Sequence, residues 1–148
     1  MAWLKAMGSN APSEFKIYDN GTWNVPYDNP GSWVNGYQNN PAIMNATNFT
    51  LSGTSSPSKG SVIGTANDID LSNYTMLKFK VQISGSNFGA GVCGSKNISN
   101  TLAYSVLPVN SGQTEYVIDI TSVTNGYIGI WCGDGSNRTA TVTEITLA

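Results

Sequence analysis

Residues 76–84 read Met-Leu-Lys-Phe-Lys-Val-Gln-Ile-Ser, and this stretch decides the fold class of the chain. Apolar and polar side chains alternate along it, with Leu77, Phe79, Val81 and Ile83 on one side and Lys78, Lys80 and Gln82 on the other. An alternation of period two is typical of a β-strand with one buried face and one solvated face. The stretch therefore predicts a strand in a sheet that is covered on one side.

Shorter segments of the same kind flank this strand, and residues typical of turns separate them. The candidate strands are Phe15–Tyr18, Thr22–Val25, Trp33–Tyr37, Ile43–Leu51 and Ser61–Thr65 upstream, and Phe88–Cys93, Leu102–Val109, Glu115–Ile120, Gly126–Cys132 and Thr139–Leu147 downstream. About ten short strands without a long helix predict an all-β chain that folds as a two-sheet β-sandwich with jelly-roll topology.

The length of 148 residues is that of one domain. We interpret residues 1–13 as a linker or as the end of an upstream segment, because Gly8–Ser13 consists of small and polar residues and proline. Residues 14–148 then form the β-sandwich binding domain. The first residues lack the apolar stretch of a secretion signal.

The chain is poor in charge and contains no histidine. Charged residues make up 11% of it, its net charge is −2, and seventeen asparagines supply much of its neutral polar surface. Nucleic-acid binding is not expected without a Lys/Arg stripe, and membrane insertion is not expected without an apolar run of about 20 residues. The lack of histidine removes Ser-His-Asp and Cys-His arrangements and most metal sites. Since no carboxylate pair indicates hydrolysis either, we expect no catalytic residue and no enzyme activity.

The two cysteines, Cys93 and Cys132, are too few for a disulfide scaffold. Each follows an apolar residue and precedes a glycine, a pattern that favours buried thiols near strand ends. Whether the two are bridged stays open, because sequence does not give the distance between them.

Aromatic and amide side chains are interleaved between residues 22 and 40, a mixture that suits a carbohydrate site. Sugars present apolar C–H faces and a rim of hydroxyl groups, so they bind flat aromatic rings that lie beside amides. The candidate ligand-binding residues of this segment are Trp23, Tyr27, Trp33, Asn35 and Tyr37. The alternative is that Trp23 and Trp33 are core residues, or lids over one end of the sandwich.

A further candidate ligand residue is Tyr127, which shares one face of its predicted strand with Trp131. Ile128 and Ile130 lie on the other face of that strand. If the isoleucines point into the core, Tyr127 and Trp131 form an exposed platform on the sheet. If they do not, both aromatic residues belong to the core, which is the interpretation we favour for Trp131.

Asp68 and Asp70 lie two residues apart before the long strand. Clustered carboxylates are the ligands that calcium prefers, so a structural calcium site is one interpretation and the one cofactor to be considered. The favoured alternative is that both carboxylates cap the turn that leads into the strand.

The order of segments in the second half of the chain resembles a known kind of domain. The segments that carry the resemblance are Ile69–Leu77, Tyr116–Thr121, Gly126–Ile130 and Val142–Leu147. Together they resemble the jelly-roll, galactose-binding-like domains at the ends of bacteriophage and prophage tail or fibre proteins. They are also similar to the β-sandwich carbohydrate-binding modules of bacterial glycoside hydrolases.

The resemblance implies a non-catalytic domain that recognises a host surface, through a glycan or a surface protein. For a phage domain it implies a place on the virion, contacts with other virion proteins and a symmetric homo-oligomer such as a trimer. One alternative is a structural decoration subunit of a phage tail or capsid. Another is a carbohydrate-binding module of a secreted bacterial glycoside hydrolase, which would place the domain outside the cell.

Overall fold

A computed structural model describes residues 13–35 and 38–148 of the chain. Tyr37 and nearly all of the predicted linker therefore lie outside the described residues. The fifteen strands that the model describes are β1 (Phe15–Asp19), β2 (Thr22–Trp23), β3 (Tyr27–Asp28), β4 (Gln38–Asn39), β5 (Ile43–Met44), β6 (Phe49–Ser52), β7 (Thr54–Ser55), β8 (Ser58–Thr65), β9 (Ile69–Asp70), β10 (Met76–Ser84), β11 (Phe88–Cys93), β12 (Thr101–Leu107), β13 (Thr114–Asp119), β14 (Asn125–Cys132) and β15 (Thr139–Leu147). Within these residues there is no helix that is long and apolar enough to cross a membrane.

The strands form two sheets. The first sheet has the order β13-β10-β15-β1-β2. Strand β6 also pairs with β15, before the part of β15 that pairs with β1, and β5 pairs with β6. The second sheet has the order β12-β11-β14-β8-β3, with the short strands β4, β7 and β9 attached to β8 and β14. All pairings are antiparallel except the contact of β4 with β8. The predicted all-β, two-sheet β-sandwich is therefore confirmed.

The strand that decided the fold class behaves as its alternation predicts. Leu77, Phe79, Val81 and Ile83 are fully buried, while the side chains between them are exposed or half-buried. Strand β10 lies between β13 and β15 along its length. Its apolar face packs against residues of the second sheet such as Phe88 and Ile130, and this contact forms the core between the sheets.

Two predicted strands differ from the structure. The described part of the predicted strand Trp33–Tyr37 is a loop, in which Val34 forms an isolated bridge with Asn97. It is no strand because its backbone bonds go to another loop: the Val34 amide donates to the Lys96 carbonyl at 3.0 Å. The predicted strand Ile43–Leu51 is broken, because the Asn45 amide donates to the Asn48 carbonyl at 2.8 Å and closes a turn.

Both cysteines are free thiols, and both are buried. The side chain of Cys132 belongs to the core between the sheets, whereas that of Cys93 lies in a smaller cluster on the outer side of the second sheet. The two sulfur atoms therefore lie on opposite sides of one sheet. Burial raises the pKa of Cys93 to about 12 and that of Cys132 to about 11, so neither is a reactive thiolate.

Candidate functional site

The outward faces of the two sheets differ in charge. On the first sheet, Glu144 pairs with Lys16 and lies 3.4 Å from Lys80, and Lys78 lies 3.3 Å from Glu14. The outward face of the second sheet carries one ion pair among the described residues, between Lys96 and Asp28. Most of its other residues are aromatic, aliphatic or glycine. This second face is therefore the one suited to bind a neutral ligand.

Three glycines lie side by side across the centre of the second sheet. Gly64 on β8 pairs with Gly129 on β14, which pairs with Gly91 on β11. The indole of Trp33 lies against Gly64 and Gly129 of this row, because a Cβ atom would stand 2.7 Å from it at Gly64 and 2.9 Å from it at Gly129. The Trp33 Nε1 atom donates to the Thr65 carbonyl at 3.0 Å. Glycine at these positions thus lets a large ring cover the sheet.

The adjacent row of residues holds a second indole in the same way. Trp131 on β14 pairs with Gly89 on β11, which pairs with Val106 on β12. A Cβ atom at Gly89 would stand 2.6 Å from the Trp131 Nε1 atom, so the indole leans across this glycine towards β12. The side chain of Trp131 is only 9% exposed.

An open groove of about 360 Å³ follows from this arrangement, and we call it the Trp131 groove. It is lined by Ser86, Asn87, Phe88, Gly89, Tyr104, Val106 and Trp131. Trp131 forms one wall, and the other wall is formed by Tyr104 and Val106, which are 58% and 66% exposed. No lining side chain is charged, and a groove with apolar walls is the usual form of a small-molecule site.

Four polar groups of the groove have no hydrogen-bond partner among the described residues. These groups are the Trp131 Nε1 atom, the hydroxyls of Ser86 and Tyr104, and the amide of Asn87. The Trp131 Nε1 atom is also not sealed from solvent, unlike the indole nitrogen of Trp23. A ligand in the groove therefore meets hydrogen-bond donors and acceptors that the protein leaves unused.

Strand β12 departs from the usual orientation of an amphipathic strand. Its apolar residues Leu102, Tyr104 and Val106 face solvent, while the smaller Ala103 and Ser105 face inward. An exposed apolar row beside a groove is typical of a binding surface rather than of a solvated face. The exposed row therefore extends the wall of the Trp131 groove along the edge of the sheet.

The four predicted ligand residues of the segment 22–40 that the structure describes are not brought together in one site. Trp23 and Tyr27 stack on each other at 4.8 Å at the opposite edge of the second sheet, and Tyr27 is 40% exposed. Trp33 has no exposed surface and lies in the cluster on the outward face of the second sheet. Asn35 is buried and donates to the Cys132 carbonyl at 3.4 Å. Its position is structural as well.

The strand that holds Tyr127 and Trp131 places its isoleucines in the core between the sheets. Both aromatic residues therefore lie on the outward face of the sheet. Trp131 is buried there in a second hydrophobic core cluster with Val62 and Trp33, so it belongs to the core as expected, although not to the part between the sheets. Tyr127 is half-buried and meets Trp33 edge to face at 6.4 Å.

Lys96 fastens the loops that cover this face. Its ammonium group donates to Asp28 at 2.8 Å and to the Ala66 carbonyl at 3.0 Å, and it lies 5.9 Å from the ring centre of Tyr127. The hydrogen bond from Lys96 lowers the pKa of Asp28 below its usual range. Lys96 thereby links the edge strand β3 to the residues beside Trp33.

We expect Asp28→Asn to lower the free energy of unfolding by about 1 kcal/mol near neutral pH, because it leaves the half-buried Lys96 without its anion. The folded-state pKa of Asp28 lies below the unfolded value. The stabilisation is therefore full above the ordinary carboxyl pKa of about 4 and is lost as pH falls through the folded pKa. Urea denaturation of both proteins, near neutral pH and at about pH 2.5, measures the difference.

The matched control for this substitution is Asp134→Asn, since Asp134 forms no ion pair within the described residues. Its stability should follow that of the original protein at both pH values. A loss in Asp28→Asn that stays equally large in acid would contradict the assignment to the Lys96 ion pair.

The carboxylates considered for calcium are bound to the protein's own donors. Asp70 accepts hydrogen bonds from the amide and the hydroxyl of Ser72, at 3.0 and 2.7 Å, and so caps the turn before β10. Asp68 accepts from the side chain of Asn125 at 2.6 Å. Across residues 13–35 and 38–148, no three cysteine or acidic side chains are grouped so that they could hold a metal ion.

Sequence reasoning did not select Tyr104, Asn87 or Ser86. The signal that pointed to the groove was the alternation of Gly89 and Gly91 with larger residues in Phe88–Cys93. A row of glycines on one face of a strand indicates that another group approaches closely, and here that group is the indole of Trp131.

Comparison with solved structures supports the fold. A family 29 carbohydrate-binding module from Piromyces equi superposes with a TM-score of 0.59 at 16% identity, covering 91% of this chain and 89% of the module. An arginine-to-alanine variant of a second family 29 module, made to probe ligand recognition, gives 0.59 at 9% identity, covering 93% and 92%. A low-affinity xylan-binding module of family 86 from Roseburia intestinalis gives 0.49 at 14% identity, covering 92% and 93%.

No protein-family model matches the chain, and no curated protein matches its sequence. At identities of 9% and 16%, the likeness to the family 29 modules establishes the β-sandwich alone.

Proposed function

We propose that this protein is a non-catalytic binding domain that takes a neutral carbohydrate into the Trp131 groove. The observation that carries the proposal is an uncharged groove whose walls are aromatic and aliphatic and whose polar groups have no hydrogen-bond partner among residues 13–35 and 38–148. The overall similarity to carbohydrate-binding modules supports the same class of ligand.

The chemistry of the groove matches the two surfaces of a sugar. The apolar C–H face of a sugar ring packs on the exposed ring of Tyr104 and reaches the small part of Trp131 that borders the groove. The hydroxyl groups at its rim bond to the Trp131 Nε1 atom and to the amide of Asn87. A charged sugar would be disfavoured, because a carboxylate in this groove would lose its hydration without gaining a cation.

Binding rather than turnover is what the lining favours. The residues around the groove include no carboxylate and no nucleophile beside a base, so the groove supplies neither an acid nor a base to a bound sugar. Its polar groups are hydroxyl, amide and indole groups, which hold a ligand and do not transfer protons near neutral pH.

The partner that we propose is therefore a glycan outside the cell, as for a module of a secreted hydrolase. The similarity to carbohydrate-binding modules favours this alternative over a phage tail, fibre or capsid domain. A role in host attachment, and assembly as a trimer, stay predictions from the order of sequence segments.

We expect Tyr104→Ala to weaken carbohydrate affinity about tenfold, because it removes the most exposed ring of the groove. Titration calorimetry with neutral oligosaccharides of glucose, of mannose and of xylose, each about six units long, identifies the ligand and measures the loss. Tyr104 is exposed, so the substitution should leave the melting temperature almost unchanged.

The matched control is Val117→Ala, which shortens an apolar side chain that is 51% exposed on the outward face of the first sheet. Its affinity should equal that of the original protein. The proposal fails if none of these oligosaccharides binds, or if Tyr104→Ala and Val117→Ala bind equally well.

A further inference from the structure

Three aromatic rings form a column between the two sheets, from Phe49 on β6 and Trp23 on β2 of the first sheet to Tyr27 on β3, the edge strand of the second sheet opposite β12. Tyr27 stacks on Trp23 with ring centres 4.8 Å apart and planes 13° apart. Trp23 stacks in turn on Phe49 at 5.6 Å and 14°. We call these three rings the aromatic column. Nearly parallel rings at these distances attract one another beyond the effect of burial alone.

The aromatic column runs from the core to the surface. Phe49 is fully buried, Trp23 is half-buried, and Tyr27 is 40% exposed at the outer end. Tyr18, also fully buried, supports the column from the side, at 4.8 Å from Phe49 and 5.2 Å from Trp23. Because Trp23 covers one face of the Tyr27 ring, the exposed surface of that ring lies on its other face and at its edge.

Tyr27 is thus a flat ring that is already held in place. A ring that the protein already holds against a neighbouring ring loses little conformational freedom when a ligand packs on it. Its hydroxyl has no hydrogen-bond partner among the described residues. The charged residue next to it in the chain, Asp28, is already paired with Lys96. A neutral ligand is therefore the kind that this ring can accept.

The aromatic column is separate from the Trp131 groove. Tyr27 lies on β3 and Tyr104 lies on β12, at opposite edges of the sheet order β12-β11-β14-β8-β3. Four strand spacings of about 4.8 Å place the two edges roughly 19 Å apart. One sugar ring cannot contact both.

We propose that the exposed face of Tyr27 is a second carbohydrate site, which takes one ring of a neutral glycan. This inference rests on the proposed function, since it assigns the same class of ligand to a second place. A single stacked ring offers less contact than a groove with two walls, so this site binds more weakly. Two sites on one small domain allow it to hold two glycan chains, or one chain twice, and so to gain avidity.

The two sites can be observed separately by nuclear magnetic resonance of the tryptophan indole N–H groups. The Trp131 N–H lies in the groove, and the Trp23 ring is in direct contact with Tyr27. The ¹⁵N-labelled protein is titrated with the neutral oligosaccharides named above. We expect both signals to shift to saturation, with Trp23 reaching its midpoint at a concentration at least about tenfold higher.

Two substitutions test the assignment. Tyr27→Leu keeps apolar contact with Trp23 but removes the flat ring, and it should abolish the saturable shift of Trp23 while changing the Trp131 midpoint less than about twofold. Tyr104→Ala should instead raise the Trp131 midpoint about tenfold and change the Trp23 midpoint less than about twofold. If Tyr27→Leu lowers the melting temperature, Tyr27→His, which keeps a flat ring, serves as the second variant and should retain the Trp23 shift.

The outcomes separate this inference from the proposed function. If the Trp131 signal saturates and the Trp23 signal never shifts, the second site is overturned and the groove stands. The same conclusion follows if the Trp23 signal has the same midpoint concentration as the Trp131 signal in both the original protein and Tyr27→Leu. If neither signal shifts with any of the oligosaccharides, the proposed function fails, and the second site fails with it.

Discussion

Replacing Trp33 by alanine is expected to lower the free energy of unfolding by about 3–5 kcal/mol, the cost of deleting a large buried ring. The Trp33 indole covers Gly64 and Gly129, and neither glycine has a side chain that could fill the space left behind. The substitution also removes the hydrogen bond from the indole to the Thr65 carbonyl. Urea denaturation followed by circular dichroism measures the loss.

The thiol of Cys93 provides an independent readout of the same substitution. Cys93 belongs to the cluster that Trp33 covers, whereas Cys132 lies between the sheets. A thiol reagent should therefore label Cys93 faster in Trp33→Ala, with the rate for Cys132 much less affected. The control is Trp33→Phe, which keeps a ring over the glycines and should lose only about half as much stability. A loss below about 1 kcal/mol in Trp33→Ala would show that the indole does not hold this face.

Gly91→Ala is expected to destabilise the protein by about 3 kcal/mol and to weaken carbohydrate binding as well. A Cβ atom at this position would overlap the Ala103 carbonyl oxygen and stand 2.6 Å from the Tyr104 Cα atom. Backbone atoms cannot turn aside as a flexible side chain can, so β12 must move away from β11. Tyr104 and Val106 would move with β12 and widen the Trp131 groove.

The control for Gly91→Ala is Gly112→Ala, which makes the same substitution where no atom lies within 4 Å of the new Cβ. Its stability should change by less than about 0.5 kcal/mol, and its carbohydrate affinity should stay the same. Thermal denaturation and calorimetric titration of both variants compare the two positions. Equal behaviour of the variants would contradict the close approach of β11 and β12.

The fold class was predictable because one face of the longest strand is buried. Burial of Leu77, Phe79 and Val81 between two sheets imposes the alternation that can be read in the sequence of β10. The same logic failed for Trp33–Tyr37, where the residues have high strand propensity but the backbone bonds to the loop around Lys96. Local strand propensity cannot predict whether a segment becomes a strand or a loop, because the outcome depends on which segment lies next to it in the fold.

The site was less predictable than the fold, because the strand register creates it. Nothing in the local sequence places Trp131 beside Gly89, which is more than 40 residues away along the chain. Strand β12 is hard to predict for a different reason. Its periodicity assigns the apolar side to the core, but Tyr104 and Val106 on that side face solvent. The clustered aromatic residues between 22 and 40 led to the prediction of a site there, but the fold places Trp23 and Tyr27 at an edge of the sandwich and buries Trp33 on the outward face of the second sheet.

The opposite placement of the two sulfur atoms has a consequence for where the domain can work. An intramolecular disulfide requires Cα atoms within about 7 Å and Cβ atoms directed towards each other, a condition that side chains on opposite faces of a sheet do not meet. The native state therefore neither gains a covalent cross-link under oxidation nor loses one under reduction. We expect the same melting temperature in fully reduced and in fully oxidised glutathione. The stability of the domain then does not depend on the redox potential of its surroundings.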